Sequence, residues 1–184
     1  MKFLTSFFVV LVLLTLKDTT AQQKTDVEMV SAQLVNVLHD RDMNKFAEFV
    51  HPTKGVRFSP YEFVESNHVV MPTDLARSKD NINAYIWGYY DGSGLPITLT
   101  FDAYYERFIY DRDYVHAPRV TRNGTIGNGN TTNNIRQFYP QSVWMEYHFP
   151  ATPRRSDWNS LWLVFEDYRG EWYLVAIVHG EWTI

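Results

Sequence analysis

The chain has 184 residues, of which 45% are hydrophobic and 16% aromatic, and its formal net charge is −4 at pH 7. This mild acidity, with no basic block, argues against nucleic acid as a partner. The absence of cysteine excludes disulfide scaffolds, cysteine-ligated zinc and thiol catalysis. Stability must therefore come from an apolar core, and the 6 Trp, 12 Tyr and 12 Phe can build one or line a ligand cavity.

The N-terminus has the pattern of a secretory signal peptide. Lys2 precedes the apolar run from Phe7 to Leu16, and small residues lead up to Ala21. This run is shorter than the roughly 20 residues that span a bilayer. We therefore expect residues 1–21 to be a signal peptide cleaved after Ala21, with no retained membrane anchor and a secreted or periplasmic location. Residues 22–184 would form a single domain.

Two amphipathic helices are expected next. Thr25 and Glu28 match a capping box for the first helix. Its apolar stripe is Val27, Val30, Leu34, Val37 and Leu38. A second helix would begin at Asp42 and end before Pro52.

Short elements follow in the middle of the chain. Residues 55–64 begin as a strand, and Ser59 followed by Pro60 resembles a helix start. Residues 68–71 form another short strand, and Thr73 with Asp74 can cap a helix through Lys79. Residues 84–90 read as a strand closed by the turn "DGSG", and Thr100 caps a further helix.

The C-terminal half is richer in strands. The Gly- and Asn-rich segment 122–134 is expected to be a long loop and a candidate lid. Residues 142–149, 160–167 and 171–178 are strand candidates, with a hairpin turn at Arg169 and Gly170. Helices first and strands later predict an α+β fold, with the N-terminal helices packed on an antiparallel sheet.

Four residues carry candidate chemistry. Glu146 and His148 share a strand face, so they are either an acid–base pair or part of an exposed polar face. His179 ends an apolar strand, on the face of Val175 and Ile177, and lies either in the core or at a pocket. Arg57 alternates with apolar neighbours, so it binds an anionic group in a pocket or is a surface arginine.

Other motifs are weaker. Ser93 lies in a Gly-rich turn but lacks the glycine two residues earlier that a nucleophile elbow requires. The histidines are scattered, and neither an H-E-x-x-H nor an EF-hand spacing occurs. We therefore predict no metal and no cofactor.

The segments "HPTKGVRFSPY" (51–61), "WGYYDGSG" (87–94) and "WLVFEDYRGEWYLVAIVHGEWTI" (162–184) carry a family resemblance. They resemble the nuclear transport factor 2-like (SnoaL-like, cystatin-like) superfamily, and within it secreted bacterial proteins with the patterns HPxxGVRFSPY and WGxYDGSG. The resemblance implies a cone in which a curved antiparallel sheet wraps helices, with a pocket at the open end. Its members include ketosteroid isomerase, scytalone dehydratase, polyketide cyclases and non-catalytic binding modules. No catalytic residue of these enzymes matches this chain, so none is carried over.

Our first functional hypothesis is a protein that binds a small, partly apolar ligand in an aromatic-lined cone. Tyr61, Trp87 and Trp182 would enclose the ligand, and Arg57 would hold an anionic group. His148 or His179 would donate a hydrogen bond.

Two alternatives stay open. One is an isomerase, dehydratase or hydrolase in which Glu146, His148 or His179 performs acid–base chemistry and Tyr61 polarises a carbonyl. The other is a protein-interaction module with a filled cone, which would form a homodimer through its sheet.

Overall fold

The structure is a computed structural model that describes residues 26–77, 82–127, 131–153 and 155–183, so the expected signal peptide and Thr25 lie outside the described residues. The helices are α1 (Val27–His39), α2 (Met43–Phe49), α3 (Thr73–Arg77), α4 (Phe101–Tyr104) and α5 (Ile135–Phe138), with a π-helical turn at Tyr105–Ile109 and a 3-10 turn at Tyr114–His116. The strands are β1 (Val56–Ser59), β2 (Val70–Met71), β3 (Ala84–Tyr89), β4 (Pro96–Thr100), β5 (Arg119–Arg122), β6 (Val143–Phe149), β7 (Asn159–Tyr168) and β8 (Glu171–Glu181).

The two N-terminal helices begin at aspartates. The carboxylate of Asp26 accepts the N–H of Glu28 and caps α1, so the cap in the structure is one residue after the expected Thr25. Asp42 caps α2 as expected, by accepting the N–H of Lys45. The buried face of α1 consists of Val27, Val30, Ser31, Leu34, Val35 and Leu38. This face packs on the sheet, because an apolar stripe is stable only when it is covered.

The fold class is α+β, with the N-terminal helices packed on a curved, mixed sheet, as the sequence predicted except for one strand pair. The six-stranded sheet has the order β2-β1-β8-β7-β6-β5, and β3 and β4 form a separate two-stranded sheet. β1 runs parallel to β8, where a fully antiparallel sheet was expected. A parallel neighbour needs a long crossover, and the whole chain between β1 and β8 supplies it.

A β-bulge in β8 changes which side chains share a face. Val164 pairs with Ala176 and Phe165 pairs with Leu174, so Val175 is the extra residue. The expected face containing Val175, Ile177 and His179 is therefore wrong at Val175. Val175 packs in the outer cluster, whereas Ile177 lies in the inner one.

The sheet has an apolar cluster on each side. The inner cluster fills the space between the helices and the sheet and includes Leu34, Phe58, Trp87, Phe108 and Leu163. The outer cluster includes Val64, Trp144 and Trp162, with α5 packed over it through Ile135. The resemblance implied a pocket between the helices and the sheet. The side chains of the inner cluster pack against one another in that space.

Some expected local elements differ from the structure. The chain makes bends after Pro60 rather than a helix, and the short strands β4 and β5 were not expected. Thr100 caps α4 as expected, by accepting the N–H of Ala103. The described flanks of the expected loop 122–134 are held by side-chain hydrogen bonds. The side chain of Asn123 accepts the N–H of Trp144 in β6, and that of Asn134 accepts the N–H of Val64 in the segment after β1.

Candidate functional site

The seven candidate residues lie in different environments. Trp87 is fully buried, stacks on Tyr104 at 3.9 Å between ring centroids, and donates its indole N–H to the carbonyl of Leu99. Trp182 is 45% exposed at the end of the described chain. Trp87 is thus a core residue in the structure, and Trp182 lies on the surface.

Arg57 lies on the outer side of the sheet and braces the segment after β1. Its Nη1 donates to the carbonyl oxygens of Glu65, Ser66 and His68 at 3.1, 2.9 and 2.8 Å. Its guanidinium also covers the ring of Phe138. With these partners it holds backbone in place, although it borders a cavity of about 270 Å³ next to Tyr139.

His179 is sealed inside the protein and belongs to a polar network. Its Nδ1 lies 3.2 Å from the carbonyl oxygen of Pro60, and its Nε2 lies 3.0 Å from Asn159 Nδ2 and 3.2 Å from Asp111 Oδ2. Phe108 packs edge-on against the ring. Of the two positions considered for His179, the structure shows the one in the core.

Asp111 joins this network, and the sequence reasoning missed it. The hydroxyl of Tyr114 donates to its Oδ1 at 2.8 Å and Asn159 Nδ2 donates to its Oδ2 at 2.7 Å. Burial raises the pKa of Asp111, but hydrogen bonds from His179, Tyr114 and Asn159 outweigh burial and hold the pKa below its usual value. The network therefore holds the Asp111 carboxylate beside His179, and both of its oxygens already have hydrogen-bond partners.

Glu146 and His148 do share the outer face of β6, but this face is buried rather than exposed. Glu146 is 0% exposed and accepts N–H groups from Ile126 and Gly127 as well as the Ser160 hydroxyl at 2.7 Å. His148 Nδ1 lies 2.8 Å from the same hydroxyl. Burial lowers the pKa of His148, an effect that Glu146 opposes.

The order of these contacts differs from that of a nucleophilic triad. Ser160 has one hydroxyl proton, which it uses in its hydrogen bond to Glu146, so its oxygen can accept a hydrogen bond from His148 Nδ1–H. Ser160 is also 0% exposed. The arrangement fixes residues 126–127 over the sheet and leaves no route for a substrate to reach the hydroxyl.

Glu62 is a second buried acid near Glu146 that sequence reasoning did not single out. It is 2% exposed, and its Oε1 has no hydrogen-bond partner within the described part of the chain. Burial, reinforced by the charge of Glu146, raises the pKa of Glu62 to about 7, against a hydrogen bond with Thr131.

The candidate residue Tyr61 lines a second open cavity, which we call the Tyr61 pocket. Its volume is about 240 Å³. Its walls come from the bends after β1, from the end of β3 with the turn that follows, and from Thr131 before α5. The lining residues are Pro60, Tyr61, Phe63, Glu65, His68, Tyr89, Tyr90, Asp91 and Thr131. Phe63 is 48% and Tyr89 54% exposed.

Gly88 allows the two walls of this pocket to approach. It has φ of +151°, and a Cβ built on it would lie 3.0 Å from Pro60 Cγ and 3.5 Å from His68 Nε2. A side chain here would therefore push β3 away from the bends after β1. Gly88, Tyr90 and Asp91 come from "WGYYDGSG", and Pro60 and Tyr61 from "HPTKGVRFSPY", so the two motifs meet at this opening.

His68 supplies a neutral polar group to the Tyr61 pocket. It is 7% exposed, and its Nδ1 accepts the N–H of Glu65 at 3.2 Å. Burial, together with the positive charge of Arg57, lowers the pKa of His68 to about 4. Because Nδ1 is an acceptor, the ring proton of the neutral form is on Nε2, where His68 can act as a donor. Burial also raises the pKa of Tyr61, which keeps its hydroxyl protonated.

A larger groove lies between α1 and α2 but has a different character. It measures about 440 Å³ and is lined mainly by polar and charged side chains, with Val37 and Phe49 as its apolar members. It has neither the aromatic walls nor the buried polar group of the Tyr61 pocket. The Tyr61 pocket is therefore the better small-molecule site.

Two further findings concern metals and membranes. No group of three or more His, Asp or Glu side chains in the described ranges is arranged to hold a metal ion. Among the same residues, none of the helices combines the length and the apolar character needed to cross a bilayer.

Comparisons with known proteins give no match to a protein-family model and none to a curated protein. Solved structures similar to the chain include a designed nuclear transport factor 2-like protein, with 14% identity and a TM-score of 0.37, covering 83% of this chain and 94% of that one. Another is from Xanthomonas campestris and is described as a calcium/calmodulin dependent protein kinase II association domain. It has 13% identity and a TM-score of 0.37, covering 85% of this chain and 88% of that one. Similarity at this level says nothing about ligand or activity.

Proposed function

We propose that this chain is a secreted or periplasmic protein that binds a small, partly apolar ligand in the Tyr61 pocket. The observation that carries the proposal is the meeting of two sequence motifs at one opening. "HPTKGVRFSPY" supplies Pro60 and Tyr61, and "WGYYDGSG" supplies Tyr89, Tyr90 and Asp91. These segments are distant in sequence, yet both present aromatic side chains to the same cavity.

The cavity has the composition of a binding site. Four aromatic rings offer apolar surface, and half-exposed Phe63 and Tyr89 leave part of that surface in water. Covering aromatic area with a ligand is favourable, since each Å² of apolar surface removed from water contributes about 25 cal/mol. A volume of about 240 Å³ fits a compact ligand, since drug-sized sites measure about 300–1,000 Å³.

Binding is better supported than catalysis. The enzyme alternative requires an acid or histidine with a shifted pKa in the pocket, and His68 meets that requirement. A histidine with a pKa of about 4 is a weak base at neutral pH, however, and its Nδ1 is already occupied by the N–H of Glu65. His68 is therefore suited to orient a ligand by donating a hydrogen bond from Nε2.

The interaction-module alternative is favoured by one observation, the filled cone. The apolar surface that a partner could cover lies on the β3–β4 hairpin, where Ile86 and Leu95 are 56% and 64% exposed. The outer sheet face, however, carries α5 and residues 126–127 over it. Light scattering over a range of protein concentrations tests this alternative. A dimer that an Ile86→Ser substitution dissociates would support it.

A ligand-observed NMR screen of small aromatic and aliphatic fragments tests the binding proposal. We expect hits with dissociation constants of about 1 mM or lower, which correspond to roughly −4 kcal/mol. Phe63→Ala should weaken these hits without unfolding the protein, because Phe63 is half-exposed. Met29→Ala, at an exposed position of α1, is the matched control and should leave them unchanged. Fragments whose affinity is unchanged in Phe63→Ala, or a screen with no hits, would refute the proposal.

A further inference from the structure

The Tyr61 pocket has an asymmetric charge distribution. Glu65 and Asp91 line it, and its described lining contains no lysine or arginine. The Glu65 side chain is 51% exposed, and its Oε1 lies 4.0 Å from His68 Nε2. The pocket therefore presents carboxylates next to aromatic rings.

Two guanidinium groups lie near the pocket, but neither is part of its described lining. Arg57 donates Nη1 to the backbone carbonyls of Glu65, Ser66 and His68 and keeps its positive charge, which acts on His68. Arg107, which lies close enough to influence the Tyr61 hydroxyl, forms an ion pair with Glu181. His68 itself is neutral at pH 7 because burial holds its pKa at about 4. Glu65 and Asp91 are thus the charged side chains of the described lining, and the positive charge of Arg57 acts against them from outside it.

Aromatic faces reinforce this preference. The π-system of an aromatic ring is negative on its face, so it attracts a cation held within about 6 Å of the ring centroid. Tyr61, Phe63, Tyr89 and Tyr90 provide four such rings around one opening. An ammonium group with apolar substituents would contact rings and carboxylates together, whereas an anion would be repelled by Glu65 and Asp91.

We propose that the Tyr61 pocket selects an organic cation, namely a protonated or quaternary amine that carries apolar groups. This inference rests on the proposed binding function and specifies its ligand class. The carboxylates of Glu65 and Asp91 supply charge complementarity, and the rings cover the apolar substituents. His68 donates a hydrogen bond to a polar group elsewhere on the ligand.

Two probes of the same shape separate charge from apolar burial. Choline carries a trimethylammonium group, and 3,3-dimethyl-1-butanol is its uncharged carbon analogue. In calorimetric titrations of the full chain at low salt, choline should bind about fivefold to tenfold more tightly than the alcohol. This ratio should shrink as salt is added, because Glu65 and Asp91 are exposed enough to be screened.

A double variant, Glu65→Gln with Asp91→Asn, should reduce the choline affinity to that of the alcohol and leave alcohol binding unchanged. The matched control, Glu48→Gln with Asp74→Asn, removes two exposed carboxylates elsewhere and should keep the ratio. Equal affinities for choline and the alcohol, both lost in Phe63→Ala, would overturn the cation inference and leave the binding function intact. Tighter binding of an anion such as benzoate would overturn it as well. If fragments of every charge fail to bind, the proposed function fails with it.

Discussion

Glu62 should make the protein less stable as the pH rises. Its carboxyl is 2% exposed and its Oε1 has no partner in the described structure, so the charged form is poorly accommodated. Burial raises its pKa from 4.5 to about 7. The folded protein therefore binds more protons than the unfolded chain between these two values. The free energy of unfolding should fall as the pH rises through this window and level off above pH 7.

The magnitude follows from the same pKa difference. Counted in full it corresponds to about 3 kcal/mol, and relaxation of the structure around the ionised carboxyl reduces it to about 2 kcal/mol. Glu62→Gln keeps the shape of the side chain and removes the charge. The free energy of unfolding of the variant should exceed that of the natural chain by about 2 kcal/mol at about pH 8.5 and by less than about 1 kcal/mol at about pH 5.

Urea unfolding at both pH values measures this difference. His68 contributes the opposite slope, because its pKa is lowered and its stabilising effect is lost as the pH falls toward 4. His68 is present in both proteins, so its effect cancels in the comparison. Glu48→Gln, at an exposed position, is the control and should change stability by less than about 0.5 kcal/mol. A variant with the same pH dependence as the natural chain would refute this explanation of Glu62.

Four further substitutions, one of them a matched control, test other parts of the structure by urea unfolding. Tyr114→Phe removes a buried hydroxyl that donates to Asp111 at 2.8 Å, and should cost about 1–3 kcal/mol. Tyr110→Phe, whose hydroxyl donates to an exposed Asp113 at 3.3 Å, should cost less than about 1 kcal/mol, and equal costs would contradict the network. Gly180→Ala would place a Cβ 2.7 Å from Trp162 Cη2, so we expect the free energy of unfolding to fall by about 1–3 kcal/mol. An unchanged urea midpoint would show that the indole of Trp162 moves freely. Trp87→Ala should cost about 3–5 kcal/mol, because Trp87 stacks on Tyr104 in the core; a ligand-facing Trp87 would leave stability nearly intact.

The sequence predicted the regular elements whose burial follows a simple period. α1, α2, β6, β7 and β8 were all expected from apolar spacing, and most of their expected side chains are buried where expected. The exceptions are Val37 of α1, which is only partly buried, and Val175 of β8, which packs on the outer side. β4 and β5 were missed because short strands with exposed residues carry little periodic signal. The bulge at Val175 was also missed, since register depends on the partner strand and cannot be read from β8 alone.

The candidate site was harder to predict for a physical reason. The burial of Glu146 depends on N–H groups of Ile126 and Gly127, which come from a loop that has no periodicity. His179 was correctly placed at the end of β8, but its partner Asp111 follows a π-helical turn that the sequence did not reveal. The Tyr61 pocket brings together two motifs that were noticed separately. Their contact depends on Gly88, which the sequence placed only within an expected strand.

An NMR titration of the isotope-labelled full chain with its tightest-binding fragment tests the central claim most directly. We predict that amide shifts concentrate in residues 60–68, in residues 88–94 and at Thr131, the segments that supply the walls of the Tyr61 pocket, and that Phe63→Ala abolishes them. The amides near His179 and Asp111 should not move, because that network is sealed in the core. Shifts centred on His179, or in the groove between α1 and α2, would contradict the account.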